Sequence, residues 1–241
     1  MKGIINLLSG PRNISTALMY SFAQRDDFEV WDEPFYGYYL SKASMSIVHP
    51  SHEEVIASME CNLSKIIAQI ETNAKQRSLF LKGMAHHILE DKPDFLLPWK
   101  NVILIRHPKK LIASFAKVIP NPTLQDIGIK KASDLFHYLE THNKAPLVID
   151  SDELMKDPEN YLRLVCEAIQ IPFDDCMLHW QKGGISQDGV WAKHWYRNVH
   201  QTTGFQLQQD RPIDIPMHLG PLLAEAMPYY ETLQQYMIKN S

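Results

Sequence analysis

The chain has few cysteines, no excess of positive charge and no long hydrophobic run. Its three cysteines, Cys61, Cys166 and Cys176, lack metal-ligand spacing, so we expect reduced structural thiols. A net charge of -4 over 241 residues gives no general attraction to nucleic acid. No segment approaches the roughly 18 apolar residues of a membrane span, and the N-terminus has the pattern of a buried strand, not of a signal peptide. We therefore expect a cytoplasmic protein that binds neither nucleic acid nor membrane.

The first loop, "SGPRNIST", lacks the Gly-Lys-Ser/Thr that ends an ATP-type phosphate loop. It nevertheless lies between an apolar run that ends at Leu8 and a helical pattern over residues 14–24. The unpaired N–H groups of a first helical turn attract anions, and an arginine adds a fixed charge with forked donors. A capped helix after a turn is an equally good interpretation of the loop alone. The candidate anion-binding residues are Ser9, Gly10, Arg12, Asn13, Ser15 and Thr16.

Five short apolar runs alternate with helical patterns along the chain. This alternation predicts an α/β fold with a mostly parallel, five-stranded central sheet between two helical layers, formed by a single domain over residues 1–241. The predicted strands are residues 4–8, "FEVWDEP", "LFLKG", "NVILIRHP" and "PLVIDS".

Three other segments have predicted roles. Ser51 begins a Ser-x-x-Glu pattern, which predicts a capping box on one helix that continues to Ala74. Residues 181–211 are polar and rich in Gly, Trp and His, and we expect a long functional loop there. The last helix, over residues 218–238, contains Pro228 and is expected to be kinked or broken there.

The strand "NVILIRHP" is followed by Arg106, where an acid that helps to hold Mg²⁺ often stands in a nucleoside triphosphatase. On a helical wheel of the next helix, Lys110, Ser114 and Lys117 share one edge, beside a core face that includes Val118. The edge could take a phosphate group. A solvated basic edge is the alternative, so this helix alone is weak evidence.

Together, these segments resemble the sulfotransferases that use 3′-phosphoadenosine-5′-phosphosulfate. The resemblance implies a fold like that of P-loop nucleoside triphosphatases. In that family an Arg and a Ser at the spacing of Arg106 and Ser114 bind the 3′-phosphate. The first loop resembles the 5′-phosphosulfate loop, with Arg12 where a Lys often stands. "QKGGISQDGVWAKHW" is similar to the loop that folds over the cofactor, which implies that Lys182 and Gly183 also contact the 3′-phosphate.

The resemblance leaves the general base open. Members with a Lys-x-His use the histidine, but here Met84 occupies that place and His86 and His87 come later. Other members use a Glu after the second strand, and Glu33 stands there at the sheet edge where such folds bind ligands. We therefore predict Glu33 as the base, with the two histidines second. Lys82 is expected to stabilise the bridging or sulfuryl oxygens.

The predicted reaction moves a sulfuryl group to a hydroxyl or amine of a small molecule, with no metal ion. The aromatic segment "EPFYGYYL" could line an acceptor pocket or only pack in the core. Two other functions stay open: a kinase-like phosphotransferase that uses ATP and Mg²⁺, and a nucleotide-binding module without catalysis. The sequence does not predict the acceptor or the oligomeric state.

Overall fold

The computed structural model describes residues 3–42, 49–206 and 213–239. Five parallel strands form one sheet in the order β2-β3-β1-β4-β5. This confirms the predicted α/β architecture. The strands are β1 (Ile4–Ser9), β2 (Phe28–Asp32), β3 (Ser78–Met84), β4 (Lys100–Ile105) and β5 (Leu147–Asp150).

Helices and 3₁₀ turns connect the strands. The helices are α1 (Ser15–Ala23), α2 (Tyr36–Lys42), α3 (His52–Ser58), α4 (Leu63–Ala74), α5 (Pro108–Phe115), α6 (Leu124–Ile127), α7 (Ile129–Thr141), α8 (Ser151–Lys156), α9 (Pro158–Ala168), α10 (Ala192–Trp195) and α11 (Gly220–Gln234). No helix among the described residues is both long and apolar enough to cross a membrane.

Side chains of successive strand residues enter two separate hydrophobic clusters, one on each face of the sheet. In β4, Val102 and Leu104 pack into one cluster, and Ile103 and Ile105 into the other. The first cluster includes apolar side chains of α1 and α9, and the second includes those of α4, α5, α7 and α11. Burial on both faces explains why the strands have nearly continuous apolar sequences.

The predicted helix from Ser51 to Ala74 is wrong in two respects. The segment forms two helices, α3 and α4, because Met59 is extended (φ -121°, ψ 153°) and the Asn62 side chain caps the second helix by accepting from Lys65 N at 3.1 Å. Ser51 does not form a capping box: its φ is 60°, its side chain makes no cap hydrogen bond, and its Oγ lies 3.0 Å from His194 Nε2.

Two further predictions need shorter bounds. Helix α5 ends at Phe115, so Lys117 lies beyond it and Val118 is 45% exposed, not part of the core face. Helix α11 spans Gly220–Gln234 and continues through Pro228 without a break. Burial of Leu222, Ala226, Tyr230 and Leu233 explains how the helix tolerates the proline.

The chain returns to the sheet after α11. Met237 forms a parallel bridge with Val148 of β5, and Ile238 N donates to Val148 O at 3.0 Å. This short C-terminal segment therefore lies along the outer side of β5, opposite to β4.

Candidate active site

The loop between β1 and α1 has an unusual backbone. Arg12 and Ile14 have φ of 63° and 61°, a left-handed conformation that costs roughly 1–3 kcal/mol at a non-glycine residue. Ile14 is also the N-cap of α1, where its side chain can make no cap hydrogen bond. The first-turn N–H groups at Ser15 and Thr16 are therefore not capped by that side chain, and such groups suit an anion.

Three predicted residues of the loop hold its shape. A Cβ on Gly10 would lie 2.6 Å from Ile127 O, so the close approach of that carbonyl explains the glycine. Ser9 Oγ donates to Gly10 O at 2.7 Å, and Asn13 Nδ2 donates to Leu104 O of β4 at 3.0 Å. These contacts tie the loop to the sheet.

The side chains of Arg12 and Arg106 lie close together beside this loop. Arg12 Nε donates to Ser114 Oγ at 3.1 Å, and Arg106 Nη1 donates to Arg12 O at 2.6 Å. Burial lowers the pKa of both arginines, and the charge of Arg106 lowers the pKa of Arg12 further. Asp152 offsets part of the charge, 3.8 Å from Arg106 Nε and 3.2 Å from Lys110 Nζ. The predicted partners Arg12, Arg106 and Ser114 are thus brought together in an environment that favours an anion.

A second cluster lies where β2 and β3 end. Lys82, whose side chain is fully buried, donates to Asp32 Oδ1 at 3.1 Å, to Tyr196 Oη at 2.6 Å and to Glu33. Glu33 is in the left-handed region (φ 48°), and its N donates to Lys82 O at 2.6 Å. Burial raises the pKa of Glu33, and the charge of Lys82 opposes that rise. Burial lowers the pKa of Lys82, but Asp32 and Glu33 outweigh it and raise the value.

The two predicted histidines lie beside this cluster. The His87 ring stacks on Tyr36 and Tyr39 at 4.7 and 4.8 Å, and its Nδ1 lies 3.8 Å from Glu33 Oε2. Burial lowers the pKa of His86 to about 3 and that of His87 well below its ordinary value. Both imidazoles are therefore neutral at physiological pH.

One cavity of about 440 Å³ joins the two clusters. Tyr36 lines it, while Phe35 and Tyr39 of the same aromatic segment are buried in the core; the segment's role toward an acceptor stays a prediction. Lys182 and Gly183 are not among the lining residues, and Gly183 N donates to His200 O at 3.0 Å. The predicted residues that line the cavity are Arg12, Ser15, Thr16, Glu33, Lys82, His86, His87, Arg106 and Ser114.

The described part of the predicted loop, residues 181–206, supplies part of the cavity lining, from Trp191 to Gln206; residues 207–211 lie outside the described residues. We call residues 181–206 the covering segment. It contains α10 and a 3₁₀ turn, Val199–Gln201. Asp188 Oδ2 fastens one part by accepting from Tyr20 Oη at 2.7 Å and lying 2.9 Å from His200 Nε2. The segment also brings Tyr196 to Lys82 and Asp32.

Sequence reasoning missed the place of Tyr196 beside Lys82, as well as Asp152 and the cavity residue Trp180. Tyr196 lies 114 positions after Lys82 in the chain, and no local pattern links the two. Asp152 does carry a signal: it lies two residues after the end of β5, at the same edge of the sheet as Arg106. Within the described residues there is no group of three or more His, Cys, Asp or Glu side chains that could hold a metal ion.

This geometry defines an α/β protein in which one cavity joins a loop suited to an anion and a buried carboxylate–lysine cluster. Residues 1–236 match the family described as "Sulfotransferase domain", and the chain belongs to that family.

Two plant proteins from Arabidopsis thaliana are similar in sequence. "Branched-chain-amino-acid aminotransferase-like protein 2" is 37% identical over 236 residues, which are 97% of this chain and 42% of that protein. "Branched-chain-amino-acid aminotransferase-like protein 1" is 38% identical over 240 residues, 99% of this chain and 43% of that protein. The chain therefore spans less than half the length of these relatives.

Two solved structures share the fold. The sulfotransferase domain of the Synechococcus PCC 7002 olefin synthase has a TM-score of 0.63 at 18% identity, covering 98% of this chain and 96% of that one. The sulfotransferase domain from the curacin biosynthetic pathway has a TM-score of 0.56 at 16% identity, covering 97% and 98%. At these identities the similarity concerns the fold.

Proposed function

We propose that this protein transfers a sulfuryl group from 3′-phosphoadenosine-5′-phosphosulfate to a hydroxyl or amine of a small molecule. The observation that carries the proposal is the single cavity that holds both the Arg12–Ser114–Arg106 cluster and the Glu33–Lys82 pair. One cluster suits the anionic donor and the other suits deprotonation of an acceptor.

The donor would lie along the β1–α1 loop. The first-turn N–H groups of α1, with Arg12, Ser15 and Thr16, would hold the 5′-phosphosulfate. Arg106 and Ser114 would hold the 3′-phosphate. Lys182 and Gly183 remain predicted contacts that require the covering segment to bring them closer to the donor. Trp180 and Phe205 line the cavity with ring centroids 5.2 Å apart, and we assign them to the adenine because aromatic faces bind nucleobases by stacking.

The acceptor would enter beside Glu33. Its hydroxyl oxygen or amine nitrogen attacks sulfur in line with the leaving phosphate oxygen, the new bond to sulfur forms as the old S–O bond breaks, and 3′,5′-bisphosphate leaves with the bond electrons. The proton lost by the acceptor passes to the Glu33 carboxylate. The raised pKa of Glu33 makes it a stronger base than an exposed carboxylate.

The plant relatives are more than twice as long as the part of them that aligns with this chain. We propose that the sulfotransferase domain corresponds to the 42–43% of each that aligns, and that the aminotransferase-like name refers to the remainder.

Calorimetry with adenosine 3′,5′-bisphosphate tests the donor site. We expect micromolar binding by the wild type and a loss of at least tenfold in Arg106→Ala, because a charge-assisted contact to a phosphate is worth roughly 1.5–3 kcal/mol. Lys117→Ala removes a nearby exposed charge as a matched control and should bind within about twofold of wild type. No binding by the wild type, or equal binding by Arg106→Ala, contradicts the assignment. Mg-dependent stabilisation by ATP alone would favour a phosphotransferase.

A further inference from the structure

Tyr196 has a hydroxyl group that is fully used inside the acid–base cluster. It donates to the Asp32 carboxylate, whose two oxygens are both 2.8 Å away, and it accepts from Lys82 Nζ at 2.6 Å and from Trp191 Nε1 at 3.0 Å. A tyrosine hydroxyl offers one donor and two lone pairs, so all of its capacity is occupied. Such complete pairing of a buried polar group fixes its neighbours in one arrangement.

Lys82 is equally saturated. An ammonium group has three N–H donors, and here they face Asp32 Oδ1, the Glu33 carboxylate and Tyr196 Oη. In this arrangement Lys82 has no further N–H to offer a sulfuryl oxygen. Contact with the transferring group would require Lys82 to leave one of these three partners.

We propose that Tyr196 is a positioning residue that, together with Asp32, holds the Lys82 ammonium against Glu33, so that Lys82 acts on the general base and not on the sulfuryl group. The proposal rests on the proposed function and deepens it. It moves Lys82 from the role of an oxyanion contact to that of a partner of the base, and it leaves the sulfuryl charge to Arg12 and the α1 N-terminus.

The balance of charge around Glu33 supports this role. Two carboxylates and one ammonium share a buried site, so the protonation of Glu33 depends on how completely Lys82 and Asp32 are held. Burial and the Asp32 charge raise the pKa of Glu33, while Lys82 and the Tyr196 hydroxyl, 3.5 Å from Glu33 Oε1, lower it. The titratable groups facing Glu33 are Asp32 from β2, Lys82 from β3, Tyr36 from α2, His87 from the 3₁₀ turn after β3, and Tyr196 from the covering segment.

The same contacts link the base to the covering segment. Gly189 N donates to Asp32 Oδ2 at 3.0 Å, so the segment reaches the cluster at two places, Gly189 and Tyr196. A purely mechanical role, in which Tyr196 only fastens the segment, is the rival explanation. Tyr20 distinguishes the two, because its hydroxyl fastens the segment through Asp188 and lies outside the Lys82 and Glu33 hydrogen bonds.

The test is a direct titration of Glu33 by NMR of protein labelled with ¹³C in the glutamate side chains, with Glu33→Gln to assign the signal. Tyr196→Phe should raise the pKa of Glu33 by half a unit or more, because Asp32 loses the hydroxyl that partly neutralises it and Lys82 loses one of the contacts that hold it against Glu33. Tyr20→Phe, the matched control, should leave it within about 0.2 units. Asp32→Asn should lower it, because a like charge is removed, which shows that the titration reports the charges around Glu33.

An unchanged titration in Tyr196→Phe, or an equal shift in Tyr20→Phe, overturns the proposal. The titration needs neither donor nor acceptor, so it can fail or succeed separately from the bisphosphate binding that tests the proposed function. Where an acceptor supports turnover, the acid limb of the kcat/KM profile should move upward with the NMR pKa in Tyr196→Phe and stay in place in Tyr20→Phe.

Discussion

At the scale of single residues, the surroundings of Glu33 act on its pKa in opposite directions. It is buried next to Asp32, which favours the protonated form, and beside Lys82, which favours the ionised form. Its left-handed backbone, with φ of 48°, turns the chain sharply between β2 and α2. Strain and a perturbed carboxyl at one residue are typical of a functional position.

Glu33→Gln should reduce sulfuryl transfer by about 10²–10⁴-fold, because an amide cannot take the acceptor proton. Radiolabelled donor and a panel of alcohols, phenols and amines give the rate. Affinity for adenosine 3′,5′-bisphosphate should change little, because Glu33 lies in the other cluster of the cavity.

The control is Glu29→Gln, which makes the same change four residues earlier, on β2, and should keep wild-type transfer. If His86→Asn abolishes transfer while Glu33→Gln retains it, the base is a histidine. Donor binding without transfer to any acceptor, in the wild type, would favour a nucleotide-binding module.

Residue chemistry made part of the site predictable. Glu33 and Arg106 each follow a strand directly, Arg12 comes three residues after β1, and the carboxyl ends of parallel strands meet at one edge of the sheet. Tyr196 was not predictable in this way, because its place depends on how the covering segment folds back. Its position is set by tertiary contacts to Asp32, 164 residues away in the chain.

At the scale of elements, Asp150 joins β5, α8 and α11. Its Oδ1 caps α8 by accepting from Asp152 N at 2.7 Å, and its Oδ2 accepts from Tyr230 Oη of α11 at 3.2 Å. Burial, followed by the charge of Asp152, raises the pKa of Asp150 to about 6. Between about pH 4 and 6 the folded state therefore keeps a proton that the unfolded chain has already lost. The contribution of this carboxyl to the free energy of unfolding falls as the pH rises over that range.

Asp150→Asn should remove that dependence. Between pH 4 and 7 the wild type should lose on the order of 3 kcal/mol of unfolding free energy at this carboxyl, because two pKa units correspond to roughly that amount. The variant should not show this loss. Urea unfolding of both proteins at the two pH values measures it. Asp157→Asn, at the N-cap of α9, is the control for the effect of an Asp-to-Asn change at another helix cap. A parallel pair of stability curves for wild type and Asp150→Asn would contradict the expectation.

Periodicity predicted most elements but not their ends. The apolar positions from residue 55 to 74 fit one helix, and only the cap at Asn62 marks where the second begins. Helix α7 was missed although Ile129, Ala132, Leu135, Phe136 and Leu139 are buried at helical spacing. Its sequence contains the signal. The short α10, by contrast, has no such repeat and owes its form to packing over the cavity.

At the scale of the whole molecule, two sets of buried groups act on stability in opposite directions. The raised pKa values of Glu33 and Asp150 reduce stability as pH rises through their titration. The lowered pKa values of His86 and His87 reduce stability as pH falls below the ordinary histidine value, because the unfolded chain takes up protons that the folded state excludes.

His86→Phe should weaken the acid sensitivity. In the wild type, lowering the pH from 6.5 to 5 should cost about 2 kcal/mol at His86 alone, since each pKa unit corresponds to about 1.4 kcal/mol. The variant should lose correspondingly less unfolding free energy over that range in guanidinium titrations. His137→Phe changes an exposed histidine of α7 and serves as the control. Equal acid sensitivity in wild type and His86→Phe would show that the His86 imidazole is not the source.

The C-terminal segment has a consequence for association between chains. A strand at the margin of a sheet presents unpaired backbone groups on which another chain can pair. Met237 and Ile238 occupy that position beside Val148, which blocks it from within the same polypeptide. Proteolysis after Gln234 would uncover the outer side of β5, a run of apolar residues, and offer it to another chain as a template for aggregation.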